Sequence, residues 1–195
     1  MRDRAREFYG LPCIAALVVI AACATARTAT PAVTTVYLVR HGEKSLENPK
    51  DPDPELTSAG RARAVALAAM LANSGVTNVI STQWKRTVET ARPLATVLGL
   101  TTEIVPSGGA AFADSTAAAI MRHRGGTIVV VGHSNSLAAV IAALGGPRFP
   151  DLCDSEYSTI FIMRISAPPP PSIIRQHYGT ADPAPDSACA AMRGR

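Results

Sequence analysis

The chain has 195 residues, of which 47% are hydrophobic, 17% charged and 5% aromatic; this length suits a single domain with a sizeable core, and the composition excludes a disordered chain. Its 19 Lys and Arg against 15 Asp and Glu give a net charge of +4, but no run of five or six like charges occurs, which excludes a basic arm for nucleic acid. Sixteen of the basic residues are Arg, the side chain whose planar fork grips phosphate or carboxylate at two points.

Arg2, Arg4 and Arg6 precede an apolar run over residues 11–22. That run is too short to span a bilayer comfortably, so residues 1–22 are predicted to be a signal peptide. The run ends Val19-Ile20-Ala21-Ala22-Cys23, which resembles a bacterial lipobox, so Cys23 becomes the lipidation candidate. This reading is favoured over ordinary cleavage after Ala24-Thr25-Ala26. The expectation is an exported protein, held at a membrane through Cys23 or released in soluble form. Residues 23–32 read as a linker. Of the other cysteines, Cys13 falls in the discarded segment, while Cys153 and Cys189 remain. Those two could form one disulfide that pins the Pro-rich tail, residues 179–195, or stay as two thiols. No Cys-x-x-Cys or His-x-x-x-His spacing points to a metal site.

From the linker onward, strands and helices alternate. A β-branched run over 33–39 reads as the first strand, followed by a polar, Pro-broken loop over 43–55. A long Ala/Leu helix then runs to residue 73, with Thr57 or Ser58 as its N-cap. Short strands are predicted over 78–81 and 101–105, with a helix over 84–98 between them that Gly99 ends. A helix over 114–123 behind an Asp114 cap, an apolar strand over 127–131 and a helix over 137–144 stopped by Gly145-Gly146 follow. Two last strands, over 159–165 and 172–178, flank a Pro-rich turn at 167–171. This order predicts an α/β three-layer sandwich with a mostly parallel central sheet and helices on both faces. Ligands of such sheets sit at the carboxyl ends of the strands.

Three polar clusters fall at those ends. Arg40-His41-Gly42-Glu43 follows the first strand, Ser81-Thr82-Gln83-Trp84-Lys85-Arg86 the second, and Gly132-His133-Ser134-Asn135 the strand over 127–131. Two arginines and two histidines converging from separate stretches suit a phosphoryl dianion, since guanidinium forks can hold its oxygens and offset charge that builds during transfer. A neutral imidazole offers one ring nitrogen as a nucleophile while the other fixes the tautomer by donating to a carbonyl. Gly42 lets the backbone turn sharply off the strand and approach closely.

Leu38-Val39-Arg40-His41-Gly42-Glu43 resembles the Arg-His-Gly motif of the histidine phosphatase superfamily, also called phosphoglycerate mutase-like. The Leu56-Thr57-x-x-Gly60 helix start, the block from Ser81-Thr82 to Thr90-Ala91 and Val131-Gly132-His133-Ser134-Asn135 occur in the family's order. The resemblance covers roughly residues 33–178, and the size looks most like the compact branch that includes small phosphohistidine phosphatases. Arg63 stands where many members carry Gln. The resemblance implies that His41 is the nucleophile that becomes phosphorylated, that Arg40 and Arg86 hold the phosphoryl group, and that His133 completes the pocket. It implies a hydrolase that needs no metal or cofactor and acts on a phosphorylated small molecule or phosphoprotein. A non-catalytic binder of phosphorylated ligands is the alternative, and a phosphomutase a further one. The general acid is open: Asp114 and Glu103 lie in the interval where many members place an acidic residue, Asp114 reads equally well as a helix cap, and Glu43 is the third candidate. Trp84 is expected beside the pocket, with Lys44 and Lys85 flanking the motifs, while His123 and His177 read as structural.

Overall fold

The structure, a computed structural model, describes residues 32–184 and Cys189. The predicted signal peptide, the lipidation candidate Cys23 and the linker before residue 32 lie outside the described residues.

Ten elements follow one another: β1 (Thr34–Arg40), α1 (Ser58–Leu71), β2 (Asn78–Ser81), α2 (Lys85–Leu98), β3 (Thr102–Ile104), α3 (Phe112–Arg122), β4 (Thr127–Gly132), α4 (Leu137–Ala143), β5 (Thr159–Ile165) and β6 (Ser172–His177). They build one six-stranded sheet in the order β3-β2-β4-β1-β5-β6. The first four of these strands are parallel, whereas β5 runs antiparallel to β1 and β6 antiparallel to β5. The sheet is therefore mixed, with β1 joining the parallel part to the antiparallel one and β4 and β1 at its centre.

Strand alternation explains the two cores. Val36, Leu38, Ile80, Ile128 and Val130 face α3 and α4, where they meet Ile120, Leu137, Val140 and Ile141. Val39, Val79, Val129 and Val131 point the other way, onto Leu67 and Leu71 of α1 and Leu94 of α2. A strand covered on both faces must be apolar at successive positions, and β4 is, with Ile128 to Val131 all buried. Each fully buried aliphatic side chain here contributes on the order of 1.5–3 kcal/mol.

Most boundaries agree with the sequence to within one or two residues. Thr57 caps α1, its Oγ1 accepting from the Gly60 N–H at 3.1 Å, and Gly99 ends α2 in the left-handed region at φ 65°. The helix cap predicted at Asp114 is corrected. α3 begins at Phe112 behind Ala111, whose side chain makes no cap hydrogen bond, and Asp114 lies inside the first turn. There its charge favours the positive end of the helix dipole without capping a backbone N–H.

The tail returns to the body. Arg63 Nη1 donates to the carbonyls of Tyr178 and Thr180 at 3.1 and 3.0 Å, and Asp182 accepts from the backbone N–H groups of Tyr157 and Ser158, both at 2.9 Å. Cys153 and Cys189 are joined as a disulfide across a sequence separation of 36. In the chain-entropy view a loop of that length restricts the unfolded state by about 4 kcal/mol.

The start of α1 is packed on the backbone that leaves β1. A Cβ on Gly42 would lie 2.7 Å from the Gly60 carbonyl oxygen, and one on Gly60 would lie 2.8 Å from the Glu43 nitrogen. Thr57 N–H donates to the Glu43 carbonyl at 2.8 Å. Gly60→Ala thus sets a helix-propensity gain of about 1 kcal/mol against overpacking onto main-chain atoms that cannot rotate away, worth about 1–3 kcal/mol. Overpacking should win, lowering the melting temperature by several degrees; thermal unfolding checks the sign, and a rise would mean that the two backbones separate freely.

Candidate active site

The carboxyl ends of β1, β2 and β4 open into a cavity of about 780 Å³ whose lining includes Arg40, His41, Lys44, Trp84, Arg86 and His133. The structure brings together the two arginines and two histidines singled out in the sequence. Loop residues 107–110 and the start of α3 form a further wall.

His41 follows β1 directly. Its backbone N–H continues the ladder to the Gly132 carbonyl at 3.0 Å, and its Nδ1 lies 2.7 Å from the Gly42 carbonyl oxygen. A carbonyl only accepts, so Nδ1 carries the proton and Nε2 keeps its lone pair. Gly42 N–H in turn donates to Thr90 Oγ1 at 2.9 Å, which anchors the turn to α2.

His133 is held by a chain of hydroxyls. Thr87 Oγ1 donates to the Trp84 carbonyl at 2.7 Å and lies 2.8 Å from Thr82 Oγ1, which lies 3.1 Å from His133 Nε2. All three contacts are satisfied together only if Thr82 donates to Thr87 and His133 Nε2–H donates to Thr82. That leaves His133 Nδ1 unprotonated in the neutral ring. The two imidazoles meet edge to face, with centroids 5.5 Å apart.

Arg40 is almost fully buried. Its Nη1 donates to the carbonyls of Cys153, Asp154 and Glu156 at 2.9, 3.0 and 3.1 Å, and its guanidinium lies 4.1 Å from the centre of the Tyr157 ring. Arg86 comes from the first turn of α2, with Asp53 Oδ1 at 3.6 Å and the Trp84 ring 5.1 Å away. Arg40 Nε and Arg86 Nε and Nη1 are buried with no hydrogen-bond partner among the described residues. Buried cationic donors without a hydrogen bond are costly, and an oxyanion is the kind of group that satisfies guanidinium donors.

The same burial sets the protonation states. Desolvation, aided by Arg40, His133 and Arg86 and opposed by the Gly42 carbonyl, pushes His41 down to about 3. Desolvation and the charges of Arg86, Arg40 and Lys44 push His133 down to about 4. Both rings are therefore neutral at physiological pH, and both arginines, though lowered by burial, remain charged.

The acid candidates do not converge on this cavity. Asp114 is exposed and absent from its lining. Glu103 is paired with Arg122 and with His123, whose Nε2 is 2.9 Å away. Glu43 turns to Arg63, accepting from its Nε at 3.0 Å and from its Nη2 at 2.7 Å. Asp154, exposed and 3.7 Å from Arg40 Nη2, is the carboxylate in the lining. Lys44 and Trp84 border the cavity as expected, with Trp84 Nε1 donating to Ser107 Oγ at 2.8 Å, while Lys85 points to Glu55. His177 belongs to a network with Ser158, 2.8 Å away. Sequence reasoning passed over Asp53 and the segment 153–157 that cradles Arg40. Cys153, Glu156 and Cys189 cluster closely, but the bridged sulfurs offer no thiolate to a metal.

Two guanidinium groups around an imidazole with a free ring nitrogen, at the strand ends of a mixed α/β sheet, form a pocket whose chemistry suits an oxyanion. Residues 36–107 match the histidine phosphatase superfamily (branch 1), a stretch that carries the Arg40-His41-Gly42 turn and Arg86. Among curated proteins it is 39% identical over 70 residues to "Probable phosphoglycerate mutase GpmB" of Yersinia pestis (strain Pestoides F), a match that covers 34% of this chain and 33% of that one. The chain thus spans about a third of the length of the curated relatives it matches. Among solved structures it resembles the protein histidine phosphatase SixA in complex with tungstate (TM-score 0.59, 18% identity, 73% of this chain and 96% of that one). It also resembles a phosphoserine phosphatase from Entamoeba histolytica (0.58, 15%, 75% and 98%) and a mycobacterial glucosyl-3-phosphoglycerate phosphatase (0.54, 19%, 68% and 90%). These likenesses establish the shared fold.

The depressed histidines give a pH dependence of stability. Each imidazole binds a proton less readily folded than unfolded, where its value is about 6.5. The stabilisation is thus complete above pH 6.5 and lost as pH falls through the window down to about 4 for His133 and about 3 for His41. Within it each contributes a slope of up to about 1.4 kcal/mol per pH unit. Urea unfolding between pH 7 and 4 should show this slope, His133→Gln should reduce it, and inorganic phosphate should flatten it, because a bound dianion favours the protonated rings.

Proposed function

We propose that the protein is a metal-independent phosphatase that hydrolyses a phosphomonoester or phosphohistidine through a phosphoryl group carried on His41. His41 Nε2 attacks phosphorus, an N–P bond forms, and the bond to the leaving group breaks with its electron pair going to that group. Water then attacks phosphorus, the N–P bond breaks, and inorganic phosphate and neutral His41 are released. Arg40 and Arg86 hold the phosphoryl oxygens and offset the charge that builds on them, a contribution that typically amounts to about 10²–10³ in rate per donor. His133 takes a proton at Nδ1 when the dianion enters and then donates to it.

The observation that carries this reading is the free Nε2 of His41, its tautomer set by the 2.7 Å contact to Gly42, in a cavity that Arg40 and Arg86 also line. The stretch between β3 and β4 carries one helix, α3. That leaves little chain to close the cavity against water, which favours hydrolysis over a mutase reaction. The cavity lining bears on the substrate: Asp154, the carboxylate in it, lies exposed to water, and no buried carboxyl group lines the cavity among the described residues. Leaving groups that depart without a strong acid, such as an aryl oxide or the imidazole of phosphohistidine, fit this site best. The same lack of an acid supports the rival reading, a protein that binds a phosphorylated ligand without turnover. Export is part of the proposal, with membrane attachment through Cys23; the Cys153–Cys189 bridge suits an oxidising compartment.

Aryl phosphate hydrolysis by residues 27–195 in the presence of a chelator tests the reading. Turnover should persist with the chelator, vanish in His41→Ala, and fall about 10²–10³-fold in Arg86→Ala. Acid-quenched protein should carry a phosphoryl group on His41. A folded parent that binds phosphate yet turns over neither aryl phosphate nor phosphohistidine would establish the binding protein instead.

A further inference from the structure

Arg40 is the one cavity arginine whose guanidinium is held by the backbone of a distant segment. The three carbonyls that accept from Nη1 belong to Cys153, Asp154 and Glu156, in a stretch that forms no helix or strand. Three carbonyls around one nitrogen with two protons also set where the rest of the fork points, and they leave Nε without a hydrogen bond among the described residues. An irregular segment can hold such a geometry only if it is itself braced, because the alternative backbone states of four or five residues cost little to reach.

Two braces are visible. Glu156 folds back on its own turn, its Oε2 accepting from the Cys153 N–H at 2.8 Å while its Oε1 accepts from Arg175 Nη2 at 2.6 Å. The second brace is covalent: Cys153, whose carbonyl is the shortest of the three contacts, is bridged to Cys189, and both residues are buried. Tyr157, stacked on Arg40, follows in the same stretch, and its backbone N–H is held by Asp182 from the returning tail. The tail therefore grips the cradle at both ends, by the bridge at residue 153 and by Asp182 at residue 157.

We propose that the Cys153–Cys189 disulfide is a positioning device for the oxyanion pocket: by fixing the Cys153 carbonyl it holds Arg40 in the orientation that receives the phosphoryl group. The inference rests on the proposed phosphate chemistry, yet it concerns a part of the chain distant in sequence from the residues to which that chemistry is assigned. Opening the bridge removes no group from the cavity. It lets the cradle relax, so Arg40 loses its fixed aim, and misplacement of a charged clamp by even about 1 Å can lower binding and rate by up to about 10²-fold.

The test is the affinity for tungstate, measured by titration calorimetry on the parent, Cys189→Ala, Arg40→Ala and the double variant, each checked for folding by circular dichroism. Reduction of the parent by a dithiol is a second way to open the bridge: the dithiol closes its own disulfide, and Cys153 and Cys189 each take up a hydrogen. Cys189→Ala and the reduced parent should bind tungstate at least about tenfold more weakly, while the Cys189→Ala change should have little further effect once Arg40 is Ala. Where turnover is measured, KM should rise more than kcat falls. A bridge that merely stabilises the fold would lower the melting temperature in every background and leave tungstate affinity unchanged. That result, or equal losses with and without Arg40, overturns the inference while the phosphatase reading stands. A folded parent that binds no tungstate overturns both.

Discussion

The contact from His41 Nδ1–H to the Gly42 carbonyl decides what the site can do. It is local, joining neighbouring residues, yet it requires the chain to turn sharply after β1, and that turn exists because Gly42 and Gly60 let two backbones touch. A side chain at either position would separate α1 from the loop that leaves β1. The unprotonated Nε2 of His41 is thus presented by a glycine contact between a strand end and the first turn of the following helix, and the core between α1 and the sheet keeps that contact closed.

Around this imidazole the charges are arranged so that they do not cancel. Asp53 is 3.6 Å from Arg86, Asp154 is exposed to water, and the main partners of Arg40 are carbonyls, which accept hydrogen bonds without carrying charge. Two guanidinium groups share one cavity with two imidazoles that burial keeps neutral. Protonating either ring would place a third positive charge beside the arginines. The free site therefore holds its histidines unprotonated, and a dianion reverses that balance: it takes up the unpaired donors and raises the affinity of His133 Nδ1 for a proton. Ligand charge and histidine protonation are coupled through the same space.

Much of this was legible in the sequence, because strand ends and their polar punctuation are local signals. The β-branched run before Arg40, the Ser81-Thr82 step and the apolar strand before His133 place three clusters at the same edge of a parallel sheet, whatever the finer packing. What the sequence left open or placed differently depends on long-range geometry. Asp114 looked like a cap because Asp before small residues often is one, but the preceding loop lets α3 start at Phe112, so the carboxylate ends up exposed in the first turn. Glu43, two residues after His41, is held by Arg63, a residue that the family resemblance marked only as a departure. The cradle of Arg40 carried no signal, since backbone carbonyls have no sequence signature and the stretch that provides them belongs to no regular element. Its two cysteines left bridge and thiols equally open, because sequence does not give the distance between them.

The mixed sheet explains why that stretch reaches the site at all. In a purely parallel sheet, every strand would enter from the edge opposite the ligand. β5 runs the other way: its first residues pair with the end of β1, Ile160 opposite Val39, so the chain entering β5 must approach from the edge where His41 emerges. β6 reverses again and ends with His177 opposite Thr159, delivering Tyr178 and the tail to the same edge, where Arg63, Asp182 and the disulfide fasten them. The parallel part of the sheet supplies His41, Arg40, Arg86 and His133, and the antiparallel part brings in the backbone that holds Arg40. Changing the direction of one strand thus turns a structurally irregular entry segment into part of the oxyanion pocket.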